Sequence, residues 1–324
     1  MIEVKNLCKT FKVYKRKQGL NEAFKSLFTR KYETVHALKN VSFSIEEGEM
    51  VGYIGPNGAG KSTTIKIMSG ILNPDDGQCI INGRTPWKDR INHVKDIGVV
   101  FGQRSQLWWD VPVSDSFSLI KDIYKVPQNK YERNIKELTE LLNIGDIIKT
   151  PTRQLSLGQR MRCEIAASLI HSPKILFLDE PTIGLDSISK ISVREFIKNI
   201  NKERKTTVIL TTHDTQDLEA LTKRIILIGK GRVLLDGQLD DLKEKFSTER
   251  TLILNYYGDL DKVCNGLIIR EKYDGRAVIE VDTSIISVSD SIGYLSSKVN
   301  IIDIQVSSTT VEDVVVGLYK EYKI

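Results

Sequence analysis

The sequence predicts an α/β fold with a parallel sheet, followed by a smaller α+β region. A glycine-rich loop at residues 55–63 comes after an apolar segment at 50–54 and before a helix-compatible segment at 64–68. Two further apolar segments, 174–178 and 207–212, each end in polar residues. This is the pattern of parallel strands that deliver functional side chains to their carboxyl edge. From about residue 240 the pattern changes to short strands and helices without such polar ends.

The length and amino-acid composition of the chain limit the class of protein to which it can belong. The chain has 324 residues, enough for about two domains. Its hydrophobic content of 40% and charged content of 27% are typical of globular proteins. No apolar run approaches the roughly 20 residues of a membrane span, and the first residues lack the pattern of a signal peptide. We therefore expect a chain that does not itself cross a membrane.

Charge and cysteine content exclude two further classes. A net charge of +5 is too modest to indicate nucleic-acid binding, so we expect no nucleic-acid partner. Cys8, Cys79, Cys163 and Cys264 are scattered without metal-binding spacing. They are expected to be free thiols rather than disulfides or zinc ligands.

The beginning of the chain predicts strands at 2–6 and 34–45, separated by an unusual basic segment at 12–32. Within that segment apolar residues recur at helical spacing, so part of it is predicted to be an amphipathic helix. Two interpretations stay open for this segment. It is either a solvent-exposed surface insertion, or a helix that lies on the membrane surface or against a membrane partner.

The glycine-rich loop fits the phosphate-binding pattern G-x-x-x-x-G-K-[ST]. Its glycines permit close backbone approach, and its N–H groups can bind phosphate oxygens at a helix N-terminus. The lysine would reach the β- and γ-phosphates, and the first hydroxyl would bind Mg²⁺. The loop therefore predicts nucleotide binding by Gly55, Pro56, Asn57, Gly58, Ala59, Gly60, Lys61, Ser62 and Thr63.

An aromatic ring upstream of the loop could stack on the base of the nucleotide. Phe11, Tyr14 and Tyr32 are the candidates. We favour Phe11, because it is expected to end the first strand; the alternative is an ordinary packed aromatic residue.

A further pair of aromatic residues follows the strand predicted at 97–101 and the dipeptide Gly102-Gln103. Trp108 and Trp109 are adjacent in a predicted loop, where both cannot easily face one core. Core packing and a partner-binding surface, in which Trp is enriched, both remain open.

After the helices predicted at 115–125 and 131–142, a second loop with a helix N-terminus occurs at Leu155, Ser156, Leu157, Gly158 and Gln159. The loop is either a second anion site or a plain serine N-cap. The helix that it opens is expected to reach about residue 170.

The two strands that end in polar residues carry the predicted metal-binding and catalytic groups. Asp179 would hold Mg²⁺, usually through water, and Glu180 would orient or deprotonate an attacking water molecule. His213 follows the strand at 207–212, where it could contact a γ-phosphate, or instead be a histidine that caps the next helix or packs in the core. The segments 224–229 and 232–236 predict a hairpin.

Together these motifs resemble those of the ATP-binding subunit of ABC transporters across about residues 1–238. The loop at 55–63 is similar to the Walker A motif, Gln103 to the Q-loop, and 155–159 to the signature motif. Residues 175–180 are similar to Walker B with its catalytic acid, Gly184-Leu185-Asp186 to the D-loop, and His213 to the H-loop. Leu157 departs from the commonest signature, but Ser156 and Gly158 are kept.

The resemblance implies a P-loop NTPase domain with a RecA-like α/β core, an antiparallel β subdomain and an α-helical signature subdomain. It implies ATP hydrolysis with Mg²⁺ held by Ser62, Gln103 and Asp179. It further implies a head-to-tail dimer, with itself or with a paralogous ATPase subunit, in which the signature residues complete the partner's site. Asp186 would organise the dimer interface, and Gln103, Glu180 and His213 would be catalytic.

Partners and location also follow from the resemblance. Trp108 and Trp109 would help to receive integral membrane permease subunits, which places the chain at the cytoplasmic face of the cell membrane. Residues 181–186 and 311–314 are similar to those of bacterial ABC-2-type exporters, which include drug-resistance exporters. Residues 105–110 and the basic segment at 12–32 are similar to those of a subgroup that includes viologen exporters. The basic segment at 12–32 is more loosely similar to one in polysaccharide and teichoic-acid exporters.

Two parts of the interpretation remain open. Residues 239–324 predict a small α+β domain with ferredoxin-like strand order, which either supports dimerisation or senses a ligand. The rival functions are a soluble ABC ATPase that serves a cytosolic assembly and the ATPase of an importer. A translation-type ABC factor is disfavoured because it would need two phosphate loops, and a GTPase because no guanine-reading Asn-Lys-x-Asp motif follows the loop.

Overall fold

A six-stranded sheet forms the centre of the first of two structural units in the computed structural model of this chain. The structure describes residues 2–14, 32–102, 105–245, 249–307 and 310–324. The first unit extends to Asp236 and includes Ile324, and the second is Gly237–Lys323.

The central sheet has the order β5-β6-β7-β3-β8-β9, and the pairs β5–β6, β6–β7, β7–β3 and β3–β8 are parallel. Because these strands are parallel, their carboxyl ends meet at one edge. The strands predicted at 97–101, 174–179 and 207–212 are confirmed to within one residue. Their bounds are β3 Met50–Ile54, β5 Ile97–Phe101, β6 Ile175–Asp179, β7 Thr207–Thr211, β8 Arg224–Gly229 and β9 Arg232–Gln238.

A three-stranded antiparallel sheet packs against the central one. It comprises β1 Ile2–Tyr14, β2 Tyr32–Ile45 and β4 Asp76–Ile81 in the order β2-β1-β4. Its apolar side chains share one core cluster with residues of β3, β6 and β7. The first strand is longer than the predicted 2–6, because its pairing with β2 continues as a ribbon as far as Tyr14 and Tyr32.

Seven helices of the first unit lie in the described residues. The predictions at 115–125 and 131–142 are confirmed with shifted starts, since each helix begins directly after a proline N-cap, Pro112 or Pro127. Their apolar faces pack on the helix that follows the second loop. The helices are α1 Lys61–Met68, α2 Arg90–Lys95, α3 Val113–Ile123, α4 Gln128–Leu141, α5 Leu157–Leu169, α6 Ser187–Arg204 and α7 Thr215–Leu221.

The second unit is a four-stranded antiparallel sheet with helices. Its strand order β11-β12-β10-β13 is that of a ferredoxin-like sheet, but the described residues between β10 and β11 form no helix. The helix predicted at 283–299 begins later, at Val288, because Ser287 caps it. The elements are α8 Leu239–Lys245, β10 Glu249–Tyr257, β11 Leu267–Tyr273, β12 Arg276–Asp282, α9 Val288–Lys298, β13 Asn300–Ser307 and α10 Val311–Tyr322.

Membrane-spanning character is not seen in these helices. Within the described ranges, no helix combines the length and apolarity that crossing a membrane requires.

Candidate functional site

The phosphate-binding loop joins β3 to α1 and requires glycine at two positions. Gly55 and Gly60 have φ values of 154° and 114°. A Cβ atom at Gly55 would lie 2.1 Å from the carbonyl oxygen of Ile228, and one at Gly60 would lie 2.8 Å from that of Ala37. The loop therefore runs tightly against neighbouring backbone, and Gly60 is the N-cap of α1.

Lys61, the first residue of α1, lies under this loop with 7% of its surface exposed. Its Nζ atom donates hydrogen bonds to the carbonyl oxygens of Gly55, at 2.5 Å, and Pro56, at 3.3 Å. Burial lowers the pKa of Lys61, and the nearby carboxylates of Glu180 and Asp179 oppose that shift. The ammonium group is thus held at the loop where the sequence predicts phosphate binding.

The two acids at the end of β6, Asp179 and Glu180, are fixed by the neighbouring strand β7. Thr211 Oγ1 donates a hydrogen bond of 2.6 Å to Asp179 Oδ1, and the Glu180 N–H donates to the carbonyl oxygen of Thr211 at 3.0 Å. Glu180 adopts a φ of 56°, which is uncommon for a residue other than glycine. Such local strain is typical of functional sites. Both carboxylates consequently stand at the carboxyl edge of the sheet, as predicted.

His213 follows β7 at the same edge. Its Nε2 atom lies 3.1 Å from Glu180 Oε1 and 3.3 Å from Lys61 Nζ. The helix-capping alternative is wrong, because Asp214 caps α7 by accepting a hydrogen bond from the Gln216 N–H at 3.0 Å. The core-histidine alternative is wrong as well, because the side chain is 43% exposed and contacts Glu180 and Lys61 in the cleft.

A buried network holds the segments on either side of this histidine. The carboxylate of Asp217, fully buried, accepts hydrogen bonds from Thr212 Oγ1 at 2.8 Å, Arg194 Nε at 2.6 Å and Thr182 Oγ1. Thr212 precedes His213, and Thr182 lies two residues after Glu180. Asp217 thus ties together the backbone that carries both groups.

A cavity of about 400 Å³ opens at this edge and is lined by Asn57, Ser62, Asp179 and Glu180, among others. A serine hydroxyl and carboxylates are hard oxygen donors that suit Mg²⁺. In the ranges that the structure covers, no three His, Cys, Asp or Glu side chains form a metal-binding group. Gln103, the third predicted ligand, lies outside the described residues.

The predicted signature residues lie at the start of α5. Ser156 caps this helix in a capping box with Gln159, as the N-cap alternative predicts. Gly158 is buried, and a Cβ atom there would lie 2.4 Å from Ser189 Oγ. Leu155 is half-buried and Leu157 is exposed.

Asp186 lies beside this loop and caps α6. It accepts hydrogen bonds from Ser189 N at 3.0 Å and from Ser189 Oγ at 2.9 Å, and these bonds lower the pKa of its carboxyl. Ser189 lies between Gly158 and Asp186. The signature and D-loop residues are therefore linked through Ser189.

Trp108 and Trp109 are both exposed, at 57% and 53%. The core-packing alternative is therefore wrong for both side chains. Their backbone is fixed, because Trp108 N donates to Ser116 Oγ at 3.0 Å and Arg153 N donates to the carbonyl oxygen of Trp109 at 3.0 Å.

The reason for choosing Phe11 was wrong, although its role stays a prediction. Phe11 does not end the first strand; it lies inside β1, opposite Val35. The ammonium group of Lys9 is 5.7 Å from the centre of its half-buried ring. The predicted insertion at 12–32 is also shorter, since 12–14 and 32 belong to strands. The predicted amphipathic helix falls on residues outside those described.

Sequence reasoning missed Thr211 and Asp217. The hydroxyl of Thr211 at the end of β7 could have indicated its contact with Asp179, because β7 is adjacent to β6, the strand that leads to the two acids. Asp217 gave no comparable signal, since its contacts join residues up to 35 positions apart.

Comparison with known proteins finds a match to the ABC transporter family model over residues 38–183. The ABC transporter ATP-binding protein NatA of Bacillus subtilis is 33% identical over 229 residues, which cover 71% of this chain and 92% of NatA. The ABC transporter A family member 8 of Dictyostelium discoideum is 34% identical over 71% of this chain. The chain spans only about a quarter (27%) of that relative's length.

Solved structures agree with these sequence matches. A dimeric ATP-binding cassette in a post-hydrolysis state, with ADP and Pi bound, superposes with a TM-score of 0.61 at 28% identity. The match covers 74% of this chain and 98% of the solved chain. The similarity thus extends over a complete cassette.

Proposed function

Because this chain belongs to the ABC transporter family and carries its ATPase cassette, we propose that it is the ATP-hydrolysing subunit of a bacterial ABC-2-type exporter. It would work at the cytoplasmic face of the cell membrane through separate membrane subunits. Residues 1–238 would form the nucleotide-binding domain and 239–324 an accessory domain.

The observation that carries the ATPase part of this proposal is the convergence of three functional groups. Lys61, Glu180 and His213 come from three different parts of the chain, yet Lys61 Nζ and Glu180 Oε1 both lie within 3.3 Å of His213 Nε2. They meet next to a glycine loop that leaves its N–H groups at a helix N-terminus. A lysine, a carboxylate and an imidazole beside a phosphate cradle are the groups needed to bind and hydrolyse a nucleoside triphosphate.

Each residue of the site has a defined role in the proposal. The loop at 55–63 and Lys61 bind the phosphates, while Ser62 and Asp179 present the oxygens that would hold Mg²⁺. When bound, Mg²⁺ would neutralise charge on the phosphate oxygens. Glu180 Oε1 accepts a proton from the attacking water, and His213 orients the γ-phosphate. Positioning and electrostatics supply most of the rate enhancement.

The active form is proposed to be a head-to-tail dimer with two Mg-ATP. In it Ser156, Gly158 and Gln159 of one subunit complete the site of the other. The exposure of Ser156 at the N-terminus of α5 supports this arrangement, since its hydroxyl is accessible to a partner subunit. Asp186, which is exposed beside the signature residues, would lie at the dimer interface.

The exposed Trp pair is proposed to receive a membrane subunit. Trp is enriched at protein interfaces, and two adjacent exposed indoles on a fixed backbone form a rigid contact. Closure of the dimer would move this surface and so drive the membrane subunit.

Purification from membranes tests the proposal. We expect the full chain to co-purify with an integral membrane protein after detergent solubilisation, and a Trp108→Ala/Trp109→Ala variant to lose it. Ile91→Ala, also at an exposed apolar position, is the control that should keep it. Recovery of an active ATPase without any membrane subunit would instead favour a soluble ABC ATPase.

Direction of transport is tested separately. Relatives carry names of both multidrug and methionine-import proteins. In inside-out vesicles an exporter accumulates its substrate on addition of ATP and needs no binding protein. A requirement for an extracytoplasmic binding protein would show that the chain serves an importer.

A further inference from the structure

The carboxylate of Glu164 is buried in the first unit with 4% exposure and binds a distant segment of the chain. Glu164 lies on α5, the helix that Ser156 caps. Ser105 Oγ donates a hydrogen bond to Glu164 Oε1, and the Gln106 N–H donates to Oε2 at 3.1 Å. The side-chain amide of Gln106 donates to the carbonyl oxygen of Glu164 at 2.9 Å. One glutamate therefore fixes two consecutive residues through three directional bonds.

These two residues lead directly to the Trp pair. Leu107 N donates to Ser105 Oγ at 3.1 Å, and the Leu107 side chain is buried in the core beside α3 and α5. Trp108 is the next residue, with its N–H bound to Ser116 on α3. The segment from Ser105 to Trp108 is thus held by α5 at one end and by α3 at the other.

Burying the carboxylate of Glu164 costs desolvation free energy, which a residue that only fills space would not require. Burial raises the pKa of Glu164, and the hydrogen bonds from Ser105 and Gln106 oppose that shift by stabilising the charged form. An apolar side chain of similar size would fill the same space without the cost of desolvation. What it would lack is the directional link between the helix and the segment.

We propose that Glu164 is a positioning residue that couples α5 to the Trp108–Trp109 surface. A displacement of α5 at its Ser156 end is passed through Glu164 to Ser105 and Gln106, and so to the indoles. The proposal rests on the proposed function for the meaning of that surface, but the link itself is measurable without a membrane subunit.

The test uses the full chain with Trp87→Phe, which leaves Trp108 and Trp109 as its two tryptophans. Acrylamide quenching of their fluorescence is measured with and without Mg-ATP. Glu164→Gln puts an amide donor where Oε2 accepts from Gln106, and Ser105→Ala removes the hydroxyl donor. Glu140→Gln, exposed on α4, makes the same chemical change without the link.

We expect both substitutions to increase quenching without nucleotide, and to abolish the change that Mg-ATP causes in the Trp87→Phe parent. Their combination should have no larger effect than either alone, because both break one link. Affinity for ATP should match that of the Glu140→Gln control. A residue with a merely structural role would shift the melting temperature but leave the response to ATP intact.

Any one of three results would overturn the proposal. These are unchanged quenching in both variants, additive effects of the two substitutions, and a preserved response to ATP. If the proposed function is wrong, the Trp87→Phe parent will not hydrolyse ATP, and this is measured separately. In that event the quenching measured without nucleotide still decides whether Glu164 positions the segment. Ser105→Ala, a loss of one hydroxyl, keeps the test decisive if Glu164→Gln does not fold.

Discussion

The Nε2 atom of His213 lies 3.1 Å from Oε1 of Glu180. The contact follows from the sheet, because β6 and β7 are adjacent parallel strands, with Glu180 directly after β6 and His213 two residues after the end of β7. Asp179 and Thr211, the last residues of these strands, are register partners. The proposed catalytic groups are therefore aligned by strand pairing rather than by long loops.

Glu180→Gln should remove the proposed base while keeping ATP binding. General-base catalysis contributes about 10²–10⁴-fold, so we expect kcat to fall by that factor with ATP affinity little changed. Steady-state hydrolysis and equilibrium ATP binding measure the two quantities. Glu195→Gln, exposed on α6, is the control. Near-normal turnover in the Glu180 variant would refute the role.

Thr211→Val should disturb the orientation of Asp179. The substitution keeps the shape of the side chain but deletes the hydroxyl that donates to Asp179 Oδ1. Residues that orient metal ligands in this way typically affect metal affinity or activity by about 10–100-fold. We expect hydrolysis to need more Mg²⁺ for half-maximal rate. Thr207→Val, at the other end of β7, should leave the Mg²⁺ dependence unchanged, and an unchanged dependence in Thr211→Val would contradict the assignment.

Asp217→Asn should destabilise the first unit and slow hydrolysis. The buried carboxylate is the partner of Arg194, and removing one member of a buried ion pair costs about 3–5 kcal/mol. We expect the lower end of this range, because Arg194 also contacts Asp214 at 3.2 Å. Urea unfolding measures the loss, with the exposed Asp146→Asn as control. Equal free energies of unfolding for the two variants would show that the Asp217 network does not stabilise the first unit.

His171 predicts a pH dependence of stability. It stacks on Tyr124 at 3.9 Å, its Nε2–H donates to the carbonyl oxygen of Ile97, and its buried Nδ1 has no partner among the described residues. Burial lowers the pKa of His171 to about 4. Its ordinary value is about 6.5, so the unfolded chain binds the proton more readily. The contribution to stability is therefore complete above pH 6.5 and is lost as pH falls towards 4.

His171→Phe should flatten this dependence while keeping the stack on Tyr124. Between pH 6.5 and 4 the free energy of unfolding of the parent should fall more steeply than that of the variant, by up to about 1.4 kcal/mol per pH unit. Denaturant unfolding across this range gives the slopes. The exposed His36→Phe should keep the slope of the parent. Parallel slopes for the His171 variant and the parent would contradict the prediction.

Sequence patterns predicted the core of the fold well because its signals are local. Buried parallel strands such as β5 and β6 are short apolar runs, and their ends carry Gly102 and Asp179 at the positions expected. The phosphate loop is likewise a contiguous motif. These features need no knowledge of distant contacts.

The parts that failed depend on pairing between distant residues. The extension of β1 to Tyr14 is stabilised by β2, which begins 18 residues later, so no local pattern marks it. The same holds for Glu164, whose partners lie 58 and 59 positions away. The exposure of both Trp side chains also required the tertiary structure, since neighbouring residues usually differ in burial.

Mixing two inactive variants decides whether the two subunits of a head-to-tail dimer share their ATP sites. Lys61→Ala disables the phosphate loop but keeps the signature, while Ser156→Arg does the reverse. In a symmetric head-to-tail dimer, half of the dimers are mixed and each holds one intact site, so hydrolysis should recover to about a quarter of the parent rate. If the mixture hydrolyses ATP no faster than the two variants measured separately, each subunit carries its own complete site, which would contradict the head-to-tail dimer.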